Sequence, residues 1–260
     1  MPSSAPRDGD QSLLPSCRIG YINPLDIIDT SPYEFYRLAP RNAIVSMISI
    51  GLEGFSRQDA VAAVDANLER CIRALTRRGV EFIVLGGLPM LFNLGATYSR
   101  EFANLCAEQF GTRAGTSVDA AVAAFKSLRV SKIAVINKWD ADLNALVSST
   151  LAAEGVPILG AVTEVHTVAE IKATFEAGID VALRLTEKAL AQFSDADCLF
   201  IAGGAWLVTP FIPQIEQEFG VAVVAGQQSK IWYSLNMVGN HINRPEHGRL
   251  MNTAMKAEPG

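Results

Sequence analysis

Phe82-Ile83-Val84-Leu85-Gly86-Gly87 and Leu199-Phe200-Ile201-Ala202-Gly203-Gly204 are each an apolar run that stops at a pair of glycines. Each is followed by an apolar turn and a helical segment ending in Phe-Gly, at Phe110-Gly111 and Phe219-Gly220. A short strand-like piece and another helix come next in both places. A strand–turn–helix unit that recurs in this way builds two similar α/β halves facing each other. Open α/β sheets bind ligands beyond the carboxyl ends of their strands, so the two Gly-Gly turns mark the expected cleft.

Working outward, strands alternate with helices along the whole chain, the signature of an α/β fold. Residues 17–22 and 43–50 read as strands, and residues 31–41 as a short helix. Ser56 caps a long helix running to about Arg78, with Val61, Val64, Leu68, Ile72 and Leu75 on one face and Gly79 at its end. Helices 98–110 and 117–128 flank a strand near 112–115. In the second half, strands are expected at 132–137, 157–163, 198–202 and 221–225. Helices are expected at 142–154, 168–176, 178–193, 210–219 and 229–238. The continuous apolar run 82–85 suits a parallel strand covered on both faces. The expectation is therefore two pseudosymmetric Rossmann-like halves, each a short, mainly parallel sheet flanked by helices, with the active site between them. Residues 1–16, polar and rich in Ser, Pro and Asp, read as a disordered tail. Residues 17–130 form the first half and 131–226 the second, and the C-terminal helix within 227–250 packs back onto the first.

Composition narrows the class of function. A chain of 260 residues, 49% hydrophobic, can bury a substantial core. A net charge of −5 argues against nucleic acid as a partner. No apolar stretch is long enough to span a membrane, and residues 1–16 hold no hydrophobic signal-peptide core, so the cytoplasm is the expected compartment. The four cysteines, Cys17, Cys71, Cys106 and Cys198, form no CxxC pair, and the three histidines lie apart from them. No metal site is expected. No GxGxxG follows the first strand and no GxxxxGK[ST] occurs, so no nucleotide cofactor is expected. Apolar helix faces are compatible with a homodimer.

Four segments stand in a set order along the chain: Gly20-Tyr21-Ile22-Asn23-Pro24, Leu85-Gly86-Gly87-Leu88-Pro89, Ile133 through Trp139 with Asn144 beyond, and Asp197 through Gly203-Gly204 to Ile212-Pro213. The last continues through Gly220-Val221 and Trp232 to Arg244-Pro245 and Gly248-Arg249-Leu250. Their order resembles the aspartate/glutamate racemase superfamily, and within it the branch of arylmalonate decarboxylases and maleate cis–trans isomerases. The resemblance implies cofactor-independent chemistry on a small carboxylate, with cysteine thiols at one or both strand ends moving a proton. This chain departs from that pattern. The first thiol position falls on Gly87 or Gly86, and the second on Gly203 or Gly204. Leu88 and Pro89 stand where relatives carry hydroxyl or amide side chains, and Trp139 where they carry a tyrosine.

Candidates for the displaced chemistry follow from position. Lys138, at a strand end, can bind a carboxylate or, if desolvated, act as acid or base; the competing reading is a solvated strand terminus. His166, after strand 157–163, titrates near neutrality and is a natural proton carrier unless it is merely a surface residue. Tyr33, beside Glu34 and Tyr36, can fold over the cleft or simply pack. Asn23, Gly86, Gly87, Leu88, Trp139, Gly203, Gly204, Gln227 and Gln228 are the expected substrate-binding positions. Asp26 fits an Asx turn, and Asp140 and Asp142 fit helix capping. The expected activity is a decarboxylase-like lyase acting on a small organic acid through an enolate-like intermediate without cysteine. The alternatives are an isomerase, racemase or hydrolase with repurposed acid–base groups, and a non-catalytic small-molecule binding protein.

Overall fold

The computed structural model describes residues 15–27, 30–173, 178–203 and 206–256. The tail expected over residues 1–16 lies outside the described residues except at its end, where Ser16 N–H donates to the Asn42 carbonyl at 2.9 Å. The chain forms two parallel four-stranded sheets. The first contains β1 (Cys17–Asn23), β2 (Ala43–Ser49), β3 (Phe82–Leu85) and β4 (Arg113–Thr116) in the order β2-β1-β3-β4. The second contains β5 (Ile133–Asn137), β6 (Ile158–Thr163), β7 (Cys198–Ile201) and β8 (Ala222–Ala225) in the order β6-β5-β7-β8. Strand for strand the two orders are the same, so the sequence repeat at Phe82–Gly87 and Leu199–Gly204 is a repeat of topology. The two Gly-Gly turns follow equivalent strands, β3 and β7.

The helices are α1 (Ser31–Leu38), α2 (Arg57–Arg77), α3 (Leu88–Leu94), α4 (Tyr98–Phe110) and α5 (Ser117–Leu128) in the first half. They are α6 (Ala141–Ala153), α7 (Val168–Ala173), α8 (Gly178–Gln192), α9 (Ile212–Phe219) and α10 (Gly226–Met237) in the second. Local chemistry sets several of their ends. Ser56 accepts from Asp59 N–H while the Asp59 carboxylate accepts from Ser56 N–H, a reciprocal cap that starts α2. Thr116 and Asp119 do the same at α5, so that helix begins directly where β4 stops. Asp140 accepts from Leu143 N–H at 2.9 Å and caps α6.

Two elements differ from the sequence expectation. The apolar turn expected after Gly87 is the helix α3. Leu88, Pro89, Met90, Leu91 and Phe92 are all buried, so no polar face exists to betray helical periodicity. Helix α10 starts at Gly226 and not near 229, which brings Gln227 into its first turn.

The halves are tied by an exchange of helices. Helix α10 packs against α5, α1, β1 and β3, and α5 in turn touches β8. Helices α5 and α10 occupy equivalent places after β4 and β8, and they pack against each other. Nearly every residue of α10 is buried, including Gln227, Gln228, Ser229, Lys230, Ser234 and Asn236. A helix polar in sequence and buried on all sides must find partners inside the protein, and those partners build the site. The main core is continuous across the halves, running from Ile19 and Phe82 to Phe200 and Val224. A second cluster around Ile136, Leu199 and Trp206 fills the other face of the second sheet. Among the described residues no helix is long and apolar enough to cross a membrane.

Candidate active site

The carboxyl ends of seven strands converge on one cleft enclosing about 840 Å3 of empty space, its open mouth included. Tyr21 and Asn23 come from β1, Leu52 and Phe55 from beyond β2, and Gly87, Leu88 and Pro89 from beyond β3. Ser117 follows β4, and Lys138 and Trp139 follow β5. Ala202 and Gly203 follow β7, and Gly226, Gln227 and Lys230 follow β8. The geometry matches the rule that parallel strands present ligands at their carboxyl ends.

The walls are largely apolar, with Pro24, Leu25, Ile27 and Ile171 adding to the groups above. Two lysines enter this apolar space, and no Asp or Glu appears among the described lining residues. Lys138 is 5% exposed. Its Nζ lies 4.6 Å from the centroid of the Trp206 ring, over the indole face. Burial penalises its charge and lowers its pKa from 10.5 to about 8. Lys230, from α10, donates to the Tyr21 hydroxyl, and its Nζ is 4.0 Å from that ring's centroid. The described lining thus carries two lysines and no carboxylate in a protein whose net charge is −5.

Hydroxyl and amide groups complete the lining. Ser117 is the first residue of α5, and its Oγ is buried with no hydrogen-bond partner among the described residues. A helix start offers N–H donors and the positive end of the dipole, so an unpaired hydroxyl there suits an anion. Gln227 Nε2 donates to Ser31 Oγ, which joins α10 to α1 beside the cleft. Behind them the Glu34 carboxylate accepts from Thr30 Oγ1 at 3.1 Å and from Thr209 Oγ1, a buried link between the halves.

The glycines at the first turn are held by sterics. Gly87 has φ +98°, and a Cβ on it would stand 2.8 Å from Pro24 Cβ. A Cβ on Gly86 would meet the Tyr21 hydroxyl at 2.5 Å. No side chain, thiol included, fits at either place without moving the cleft wall. Gly203 is different: among the described residues the nearest atom to a Cβ there would be Trp206 Cε3 at 3.3 Å, a tight contact with a ring edge.

Residue by residue, the cleft contains Asn23, Gly87, Leu88, Lys138, Trp139, Gly203 and Gln227. Gly86 lies behind the lining, against Tyr21, and Gly204 falls outside the described residues. Gln228 turns away from the cleft and donates to the His247 carbonyl at 2.8 Å. Tyr33 is exposed, and its hydroxyl accepts from Arg37 at 2.8 Å. His166 is outside the lining, and its Nε2 faces Glu164 Oε1 at 3.3 Å. None of the four cysteines lines the cleft, and all are buried. Cys17 and Cys198 begin β1 and β7, at the ends opposite the cleft. Burial raises the Cys198 thiol well above its ordinary pKa of 9.0 and pushes Cys106 up to about 12. Among the described residues no group of three His, Cys, Asp or Glu could hold a metal ion.

The family model described as arylmalonate decarboxylase matches residues 31–251. The chain belongs to the arylmalonate decarboxylase family. This is a family of enzymes. The arylmalonate decarboxylase of Bordetella bronchiseptica is 24% identical over 225 residues, covering 84% of this chain and 90% of its own. Among solved structures, a liganded double mutant of arylmalonate decarboxylase superposes with a TM-score of 0.83 at 22% identity, covering 91% of this chain and 99% of that one. The maleate isomerase Iso of Pseudomonas putida S16 reaches a TM-score of 0.80 at 18% identity, covering 91% and 98%. The arylmalonate decarboxylase fold, two facing parallel sheets with helices around them, is therefore the fold of this protein.

Sequence reasoning missed Tyr21, Ser117 and Lys230 as members of the site. Tyr21 was legible only as a strand residue. Ser117 sits after a strand, the same signal that marked Lys138, but Thr116 beside it already accounts for the helix cap. Lys230 lies in the Ser229-Lys230-Ile231-Trp232 stretch, and only the burial of every face of α10 turns it inward.

Proposed function

We propose that the protein is a cofactor-independent, decarboxylase-like lyase that acts on a small organic acid without using cysteine. The observation that carries this reading is the pair of buried lysines, Lys138 and Lys230, in an apolar cleft with no Asp or Glu among its described lining residues. Such a hollow attracts an acid and meets the negative charge that forms when CO2 leaves. The substrate carboxylate sits against Ser117 Oγ and the start of α5. The apolar wall of Leu25, Phe55 and Leu88 takes the remainder of the molecule.

Loss of CO2 leaves an electron pair on the adjacent carbon, delocalised as an enolate. Preorganised positive charge in a water-poor site lowers the energy of that species more than water does. Lys138 supplies this charge, and the backbone at the Gly203 turn faces the same space. Tyr21 returns the proton: its ring is in the cleft, and Lys230 bonded to its hydroxyl oxygen stabilises the phenolate that the transfer leaves. Cysteine takes no part in this reading, in keeping with the burial of Cys17, Cys71, Cys106 and Cys198 outside the described lining.

Release of CO2 from malonic and 3-oxo acids tests this reading. Turnover with both acid types or either one, unaffected by chelators, is expected. No CO2 from any of these acids, at protein concentrations that bind them, would refute it.

A further inference from the structure

We infer that Lys138 is a nucleophile, and that this cleft decarboxylates 3-oxo acids through an imine between Lys138 Nζ and the substrate ketone. The inference rests on the lyase reading above and names the substrate class and the covalent step.

The argument begins with what surrounds the amine. Lys138 is nine-tenths buried, and its Nζ rests on the Trp206 ring face. The Nζ amine has neither a hydrogen bond nor an ion pair among the described residues. A lysine kept for its charge normally has a carboxylate against it, and a lysine kept for its stem keeps its head in water. Lys138 has neither arrangement. An amine desolvated in an apolar pocket is the environment that activates lysine toward carbonyl carbon. Consistent with this, a pKa of about 8 leaves roughly a tenth of the amine neutral at pH 7.

Position supports the same role. Lys138 is the first residue after β5 and projects from the second half into the cleft, while Ser117 and Lys230 enter from other elements. A 3-oxo acid presents its ketone and its carboxylate two bonds apart. It can place the ketone on Lys138 while the carboxylate remains against Ser117 or the apolar wall.

The steps balance. Neutral Nζ adds to the ketone carbon, one proton is taken up from solvent, and the carbonyl oxygen leaves as water, giving a protonated imine. The electrons of the bond to the carboxylate carbon move toward that imine as CO2 departs, leaving a neutral enamine. A second proton adds to the carbon that lost CO2 and restores the protonated imine. Water then hydrolyses it and releases a ketone, one proton and free Lys138. The net change is one 3-oxo acid anion and one proton to one ketone and one CO2, with no oxidant or reductant.

Two measurements on the full chain separate this inference from the lyase reading. Acetoacetate with sodium borohydride should leave the mass of an isopropyl group on the peptide containing Lys138, with parallel loss of CO2 release. The 1,3-diketone 2,4-pentanedione, which has no carboxylate to lose, should form an enaminone chromophore with the wild type and not with Lys138→Arg. CO2 release with no borohydride adduct, or Lys138→Arg retaining turnover, overturns the imine and leaves the lyase standing. Chromophore and adduct without CO2 release keep the nucleophile and sink the lyase. An adduct mapped to a different lysine overturns the assignment to Lys138, and peptide mapping of the wild type gives that answer whether or not the variant folds.

Discussion

Replacing Lys138 with Met should stabilise the protein while abolishing its activity. Lys138 is 5% exposed, and burial lowers its pKa from 10.5 to about 8. That fall corresponds to about 3 kcal/mol of penalty on the charged form in the folded state. The sign follows from where the proton binds. Above pH 10.5 the amine is neutral in both states and the penalty is absent. As pH falls from 10.5 to 8 the unfolded chain takes up a proton that the folded chain refuses, and stability drops. Below pH 8 both states are protonated and the full penalty applies. The Trp206 face returns part of it, about 1 kcal/mol for a contact of this kind. Met fills a similar volume without charge, so Lys138→Met should gain about 2 kcal/mol at pH 7, a rise of about 4–8 °C in Tm. Thermal or urea unfolding of both proteins at several pH values between 7 and 10.5 measures this. The gap should close as pH approaches 10.5. A variant no more stable than wild type at pH 7, or a gap that does not narrow with rising pH, would show that the amine is not held desolvated and would remove the basis for its reactivity. A functional residue held at a cost to stability is a common trade.

Further outcomes follow from the geometry. Gly87→Ala should cost about 1–3 kcal/mol, because its φ of +98° and the 2.8 Å approach to Pro24 admit no Cβ. Gly203→Ala should cost clearly less, because Gly203 is not in the left-handed region and its added methyl meets a ring edge at 3.3 Å; equal costs in urea unfolding would contradict this. Iodoacetamide under native conditions should leave activity intact, since all four thiols are buried away from the cleft, and stoichiometric inactivation would mean that a cysteine reaches the substrate. Tyr21→Phe should lower kcat by about 100-fold with little change in KM, the mark of a lost proton donor, whereas a rise in KM alone would make Tyr21 a binding group. Ser117→Ala should raise KM for the acid severalfold without lowering Tm, because the hydroxyl it removes has no protein partner among the described residues; an unchanged KM would place the carboxylate elsewhere.

Much of the fold is written locally. The apolar runs 82–85 and 199–202, the cap at Ser56 and the Phe-Gly helix ends each rest on a few neighbouring residues, and the two sheets follow from their alternation. Helix α3 escaped this reading because its first five residues, Leu88–Phe92, are all apolar and buried, which removes the periodicity that reveals helices. The site was legible where a residue follows a strand directly, as Asn23, Gly87, Lys138, Gly203 and Gln227 do. His166 satisfied the same kind of rule and lies outside the lining, because a loop position does not fix which way a side chain turns, and Tyr33 lies outside it because it stands on the exposed side of α1.

The paired glycines, read as sequence, determined that the chain is a repeated α/β unit with its cleft at two strand ends. Strand order, the inward turn of Lys230 and the isolation of Lys138 over Trp206 were decided only in three dimensions. The physical reason is that burial is a property of the assembled halves. A lysine has the same composition and neighbours in sequence whether its amine meets water or an indole face, and only the packing of α10 and the second core cluster against the cleft settles which it meets.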